Sequence, residues 1–197
     1  MPLDAGVEPT SESDRGLYSR QNDNRNQKGM DMKILHAIAL AVALLVAPWV
    51  YVSVGVPTLH LNAWIGFIAW GAFFAAGGGV QAITKVGGAG LAGIGLTFLT
   101  LLAVQYAGGG LWPLVAFVTI LAFVLVAMAD VPALAFTPAA FLGAASFFGS
   151  QSPLDATALY VALTWVVGLG LGYASERLGK LIAGGAGVES KLSEDLT

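Results

Sequence analysis

The sequence predicts an all-helical, polytopic membrane protein with about six transmembrane helices. Three observations predict it: of 197 residues, 56% are apolar and only 11% charged; the mean hydropathy is +0.76; and residues 86–129 contain no formal charge. A soluble domain carries roughly a quarter charged residues, so an ordinary water-facing surface is excluded. The uncharged stretch exceeds the ~20 residues that one crossing of a ~30 Å hydrocarbon core needs, and accommodates two. Backbone polar groups in lipid are satisfied only in helices or closed barrels, and the alternating segments of barrel strands are absent.

Residues 1–31 differ from the rest. Ser, Asn, Gln, Asp and Arg dominate, and the run Gln21 to Gln27 has no apolar residue. Such a segment buries too little surface to offset its ordering entropy, which predicts a disordered tail. The apolar stretch after it is too long for a signal peptide, and Met30 and Met32 stand as alternative starts. Residues 32–182 form one transmembrane domain, and 183–197 a flexible C-terminal tail.

The first crossing is Ile34 to Val54, where eleven of 21 residues are Leu, Ile or Val. Their insertion free energies, roughly −0.3 to −0.6 kcal/mol each, outweigh the cost of His36 and Ser53. Pro48 is expected to kink this helix. A turn with Pro57 follows, then segments Ala63 to Ala76, Gly88 to Tyr106, Leu111 to Ala129, Val131 to Gly149 and Ala156 to Ser175. Trp64 and Trp112 open their segments and suit the aromatic belt.

Orientation follows from the nine Lys and Arg. Arg15, Arg20, Arg25, Lys28 and Lys33 precede the first crossing, Lys85 falls between the second and third segments, and Arg177, Lys180 and Lys191 follow the sixth. With the N-terminus inside, all nine lie on the cytoplasmic side and both termini are cytoplasmic.

A repeat is legible at a nearly constant offset. Val56-Pro57-x-Leu59 matches Val131-Pro132-x-Leu134, and Gly93-Ile94-Gly95-Leu96 resembles Gly168-Leu169-Gly170-Leu171, both 75 residues on. Ala69 to Phe74 resembles Gly143 to Phe148 at 74. Two units of three helices each would sit in opposite orientations, the inverted-repeat plan of many transporters. In each unit the middle helix is short: Ala63 to Ala76 spans ~21 Å before Gly77-Gly78-Gly79, and Pro138 to Gly149 spans ~18 Å before Ser150-Gln151-Ser152-Pro153, both less than the bilayer core. Paired interrupted helices leave backbone groups free for a midplane solute. The alternative is two complete helices extended by tolerated glycines or prolines.

The candidate solute path is therefore Phe73, Phe74, Gly77, Gly78, Gly79, Gln81, Pro138, Phe147 and Phe148, the phenylalanines as an apolar constriction. Against this, such phenylalanines more often pack core or face lipid. Gly168-x-x-x-Gly172 and Ala89-x-x-x-Gly93 suit close helix packing. Asp130 and Asp155 fall at segment ends, where a solvated carboxylate is the ordinary role. Thr97, Thr100, Gln81 and Gln105 either line a path or bond neighbouring helices. His36 and His60 lack partners at metal-ligand spacing or in a catalytic triad, and no cysteine is present. The Gly-rich stretch Gly77 to Gly95 lacks the ending of a phosphate loop. No cofactor, metal or enzymatic activity is expected. The net charge of −3 offers no basic face for nucleic acid.

From Met32 to Ile182 the pattern resembles a family of small bacterial inner-membrane proteins, domain of unknown function 1097. The resemblance rests on Met32-Lys33-Ile34-Leu35, Trp64-Ile65-Gly66-Phe67, Phe74-Ala75, Gly77 to Gly79, Phe148 and, most specifically, Phe136-Thr137-Pro138-Ala139-Ala140-Phe141-Leu142-Gly143-Ala144. It implies a multi-pass protein of the cytoplasmic membrane and carries no activity over. The 31-residue extension departs from the family pattern. The expected function is a channel or carrier for a small solute, with the bilayer and a second copy as candidate partners. The alternative is a structural or accessory protein associating through small-residue helix faces.

Overall fold

The computed structural model describes the backbone of residues 12–151 and 154–194, and the side chains of 20–21, 33–151 and 154–184. Six α-helices carry the fold: α1 Glu12–Gly55, α2 Ala63–Ala75, α3 Gly79–Tyr106, α4 Leu111–Ala127, α5 Thr137–Gly149 and α6 Ala158–Glu194. There is no strand among the described residues.

Among the described residues, four stretches are long and apolar enough to cross a bilayer: Lys33–Gly55, Gly79–Tyr106, Leu111–Asp130 and Ala158–Gly184. Helices α2 and α5 have 13 residues each, about 20 Å at 1.5 Å per residue. The count of about six spans thus resolves into four full-length helices and the two short ones that the glycines and prolines mark. Leu35, Leu44, Phe123, Ile120 and Val166 are exposed on the long helices, an apolar exterior suited to lipid rather than water.

Several boundaries differ from the sequence reading. Helix α3 begins at Gly79, not Gly88, so Lys85 lies within a helix instead of a connection. Ala82, Val86 and Ala89 fall on one face, at helical spacing, and are fully buried. A lysine near a helix end is no boundary, because its long side chain lets the ammonium reach polar surroundings. The expected segments Leu111 to Ala129 and Val131 to Gly149 meet in two 3-10 turns, Met128–Asp130 and Pro132–Leu134, before α5; proline in its first turn suits a helix start. Helix α6 continues past Ser175 to Glu194, and α1 extends back to Glu12 through much of the segment read as a disordered tail. Residues 1–11 and 195–197 of the two expected tails lie outside the described residues. Pro48 sits within α1 without ending it.

The helices interlock across the chain's halves. Helix α2 runs parallel to α6: Asn62 meets Thr164 near their starts and Trp70 meets Ser175 further along. Helix α5 runs parallel to α3, with Leu134 beside Gly88 and Phe147 beside Phe98. Glycines make these crossings close. A Cβ on Gly93 would strike the Ala140 carbonyl oxygen, and one on Gly168 would strike that of Gly66. Elsewhere glycine accommodates an indole. Trp165 lies over Gly90 and donates to the Val86 carbonyl at 3.3 Å; Trp49 lies over Gly66 and donates to that of Ala63 at 3.2 Å. Trp112 and Trp64 are both exposed at the starts of their helices, as belt residues would be, Trp64 with one edge of its ring against Gly149.

Candidate solute path and end cleft

The predicted path residues separate into several environments. Phe73 and Phe147 are fully buried. Phe73 packs against Gly172 of α6 and edge-on against Phe74, their ring centroids 5.4 Å apart. Phe147 meets Phe98 of α3 edge-on at 6.0 Å. Both rings thus lie in the packed interior. Phe148 faces outward, in a groove with Leu114, Val115, Val118 and Thr119 of α4. Gln81 and Pro138 are exposed. Thr97 and Thr100 donate their hydroxyls to carbonyls one turn back, those of Gly93 and Leu96.

Gly77, Gly78 and Gly79 form the turn between α2 and α3, all with positive φ (93°, 72° and 70°). Gly77 and Gly78 N–H groups donate back to the carbonyls of Phe74 and Phe73, the Schellman closure that glycine permits. The next N–H, that of Gly79, donates to the Glu176 carboxylate of α6 at 2.7 Å. Glu176 is nearly buried and also pairs with Lys180 one turn along. The carboxylate thus satisfies an orphan donor at the start of α3, where the helix dipole favours negative charge. Arg177, beside it, stacks on Tyr173 with 5.1 Å between guanidinium carbon and ring centroid.

At the other end of α2 the chain forms a polar cleft of about 490 Å³. The turn after α1 contributes His60 and Asn62, the end of α5 contributes Ser150 and Gln151, and the start of α6 contributes Thr157 and Tyr160. His60 and Gln151 adopt φ of 50° and 65°, the only non-glycine residues with positive φ among those described. Such a conformation costs of order 1–3 kcal/mol for a residue with a side chain. The His60 and Tyr160 rings lie 5.0 Å apart, tilted by 43°. Asn62 is the N-cap residue of α2, yet its side chain makes no capping hydrogen bond. Instead its backbone N–H donates to the Thr164 hydroxyl at 3.3 Å.

Asp155 lies beside the cleft, in the connection before α6. Its carboxylate accepts the hydroxyl and the backbone N–H of Thr157. These two bonds hold its pKa below the ordinary carboxylate value. Among the described residues no three His, Cys, Asp or Glu side chains come together as a metal-ligand set.

The sequence points to the middle helices but not to this cleft, and His60 stands out in it only as a candidate metal ligand or catalytic base without partners. A signal was available: the connections Gly55 to Asn62 and Ser150 to Thr157 carry polar side chains and no Lys or Arg, and the predicted topology put both on one side.

No curated protein and no solved structure matches the chain. The match to the family described as a protein of unknown function, DUF1097, extends over residues 39–180, as the resemblance implied, and the chain belongs to that family.

Proposed function

We propose that this protein is a small-solute channel or carrier of the cytoplasmic membrane, built from two three-helix units, α1–α3 and α4–α6, inserted in opposite orientations. One observation carries the reading: the close approaches between the halves are reciprocal. Gly93 meets the carbonyl of Ala140, and Gly168, 75 residues on, meets that of Gly66, which lies 74 residues before Ala140. The short helices end alike, with Gly77 and Gln151, 74 apart, in the left-handed region. Mutual swapping of the short helices onto the opposite unit's long helix supports a two-fold related pair, in which the path runs between the units. Lys33 opens the first span, Lys85 lies near the start of α3, and Arg177 and Lys180 cluster beside Glu176, at the end away from the cleft. The positive-inside bias then makes that end cytoplasmic, along with both termini, and the cleft external.

The rival reading, an accessory protein, draws on α4: only 17% of its Leu111–Asp130 window is buried, against 39% for Ala158–Gly184. Liposome flux with a panel of small neutral and anionic solutes separates the two. Transport predicts flux above empty vesicles for at least one solute. No flux for any of them, with one stoichiometric partner retained through detergent, overturns the proposal. The chain lacks cysteine, so single-cysteine labelling tests the topology directly. An impermeant maleimide should reach Thr58→Cys from outside whole cells and Asp130→Cys only after lysis; the reverse would sink the orientation.

A further inference from the structure

We infer that the cleft at the start of α2 is a binding site for a small, uncharged, polyhydroxylated solute of the polyol or monosaccharide class. The inference rests on the transport reading for its place at the mouth of the path, but binding can be measured apart from flux.

The cleft's polar lining is not required by the fold. Each short helix is followed, at positions 74 apart, by a residue with positive φ, and after α2 that residue is Gly77 at φ 93°, for which this conformation carries no steric cost. Helix α5 closes with Gln151 at φ 65° instead. A side chain retained in a strained conformation, where its counterpart is glycine, indicates a use for the side chain. Across the same cleft His60 is also left-handed, at φ 50°. Asn62 has the residue type of an N-cap without the side-chain bond of one. At the repeat offset of 75, His60 and Tyr160 correspond to Ala135 and Lys85; at 74, Asn62 and Ser150 correspond to Phe136 and Ala76. Apart from the charged Lys85 these counterparts are apolar, so the uncharged polar set belongs to one mouth only.

The chemistry of the set selects the ligand. None of its groups carries a fixed formal charge, so an ion entering would lose water without gaining a counter-charge. Asp155 is not among the lining groups, and its Oδ1 already accepts two bonds from Thr157; it disfavours anions and leaves a cation no counter-charge within the lining. The amides of Asn62 and Gln151 each present donors and an acceptor, the pattern that neighbouring hydroxyls of a polyol require. The hydroxyl of Ser150 donates to the Phe147 carbonyl at 2.7 Å, which leaves its lone pairs to accept. The tilted rings of His60 and Tyr160 supply an apolar surface for the C–H face of such a solute. A volume of about 490 Å³ lies within the range of small-molecule sites, which is 300–1,000 Å³ as an order of magnitude.

Equilibrium dialysis of the full-length protein in nanodiscs against radiolabelled glycerol and D-glucose, with acetate and methylammonium as charged controls, tests the site. Gln151→Gly and His60→Gly remove the side chains while relieving the backbone. Both should retain or raise the midpoint of thermal unfolding and weaken binding of the neutral probe by at least about tenfold. The proposal is overturned if neither neutral probe binds, if a charged probe binds in preference, or if both variants bind as tightly as the parent. Binding without flux would keep the site and defeat the transport reading. Flux of glycerol or glucose unchanged in both variants would do the opposite.

Discussion

At one end of the bundle the Glu176 carboxylate reaches from α6 to the Gly79 N–H and fastens the turn between α2 and α3. At the other end, where α2 begins and α5 finishes, His60 and Gln151 hold left-handed backbone around an open polar cleft. Helix geometry is nearly the same at both: each involves the terminus of a 13-residue helix packed parallel to a long one. The difference is in the side chains. The first end uses glycines where the backbone turns and one charge to satisfy a helix start, which is a stabilising arrangement. The second places side chains where glycine would fold more easily, and leaves polar groups facing water. Strain at one end and relief at the other fit the proposed division between a part that binds and a part that holds.

The middle of the molecule belongs to both ends, so it should respond symmetrically and most strongly. Gly93→Val and Gly168→Val each drive a branched side chain into a backbone carbonyl of the opposing short helix. Overpacking typically costs about 1–3 kcal/mol, and a carbonyl within a helix cannot swing aside, so both variants should reach the top of that range or lose the folded protein. Thermal unfolding in detergent, followed by the monodisperse fraction on size exclusion, gives the readout. Gly95→Ala and Gly170→Ala provide the control, because a Cβ at either meets nothing within 4 Å. These should be neutral or stabilising by roughly 0.5–1 kcal/mol, the ordinary gain over glycine within a helix. If Gly93→Val is silent while Gly168→Val is destructive, the reciprocity of the halves fails.

The next effect separates the ends. Glu176→Ala removes the acceptor at the start of α3 and should cost about 0.5–2 kcal/mol, the range for a lost helix cap; Glu176→Gln, which keeps an acceptor oxygen, should cost less. Gly78→Ala at φ 72°, with its Cβ 3.0 Å from a Glu176 oxygen, combines backbone strain with a tight contact and should also destabilise. Gln151→Gly at the cleft end is expected to move the unfolding midpoint in the opposite direction. Equal and destabilising responses at both ends would erase the distinction between a holding end and a binding end.

Much of this architecture is legible in the sequence because bilayer thickness converts length into meaning. Neither Ala63 to Ala76, ended by Gly77-Gly78-Gly79, nor Pro138 to Gly149, ended by the polar run from Ser150, is long enough to span ~30 Å. The start of α3 was not legible, since a charged Lys85 reads as a boundary until burial of Ala82 and Val86 reveals a helix face. Nor does phenylalanine announce its environment. Phe147 and Phe148 are neighbours in sequence, yet one is fully buried and the other lines an outward groove. The partner of Glu176 is a backbone N–H, which leaves no residue signature. The cleft needed knowledge of which connections converge: His60 and Gln151 are far apart in the chain, and periodicity carries no information about that.

The smallest predicted effect lies at the cleft end and is read by pH. Asp155 sits outside the spans, and the Thr157 hydroxyl and N–H lower its pKa. A group with a depressed folded pKa contributes stability that is fully present above its unfolded value of about 3.9 and is lost as pH falls through the folded value. Thr157→Val deletes the hydroxyl bond and keeps the backbone one, so the Asp155 titration should move upward, towards but not onto the unperturbed position, in carbon-detected NMR. Parent and variant should differ in stability by a small, constant amount at neutral pH and converge below about pH 4, because the protonated carboxyl no longer benefits from the bond. The exposure of Asp155 keeps that difference small. If the midpoint of Asp155 does not move in Thr157→Val, the hydroxyl is not what holds the carboxylate, and the local negative charge assigned to the rim of the cleft is free to turn into it.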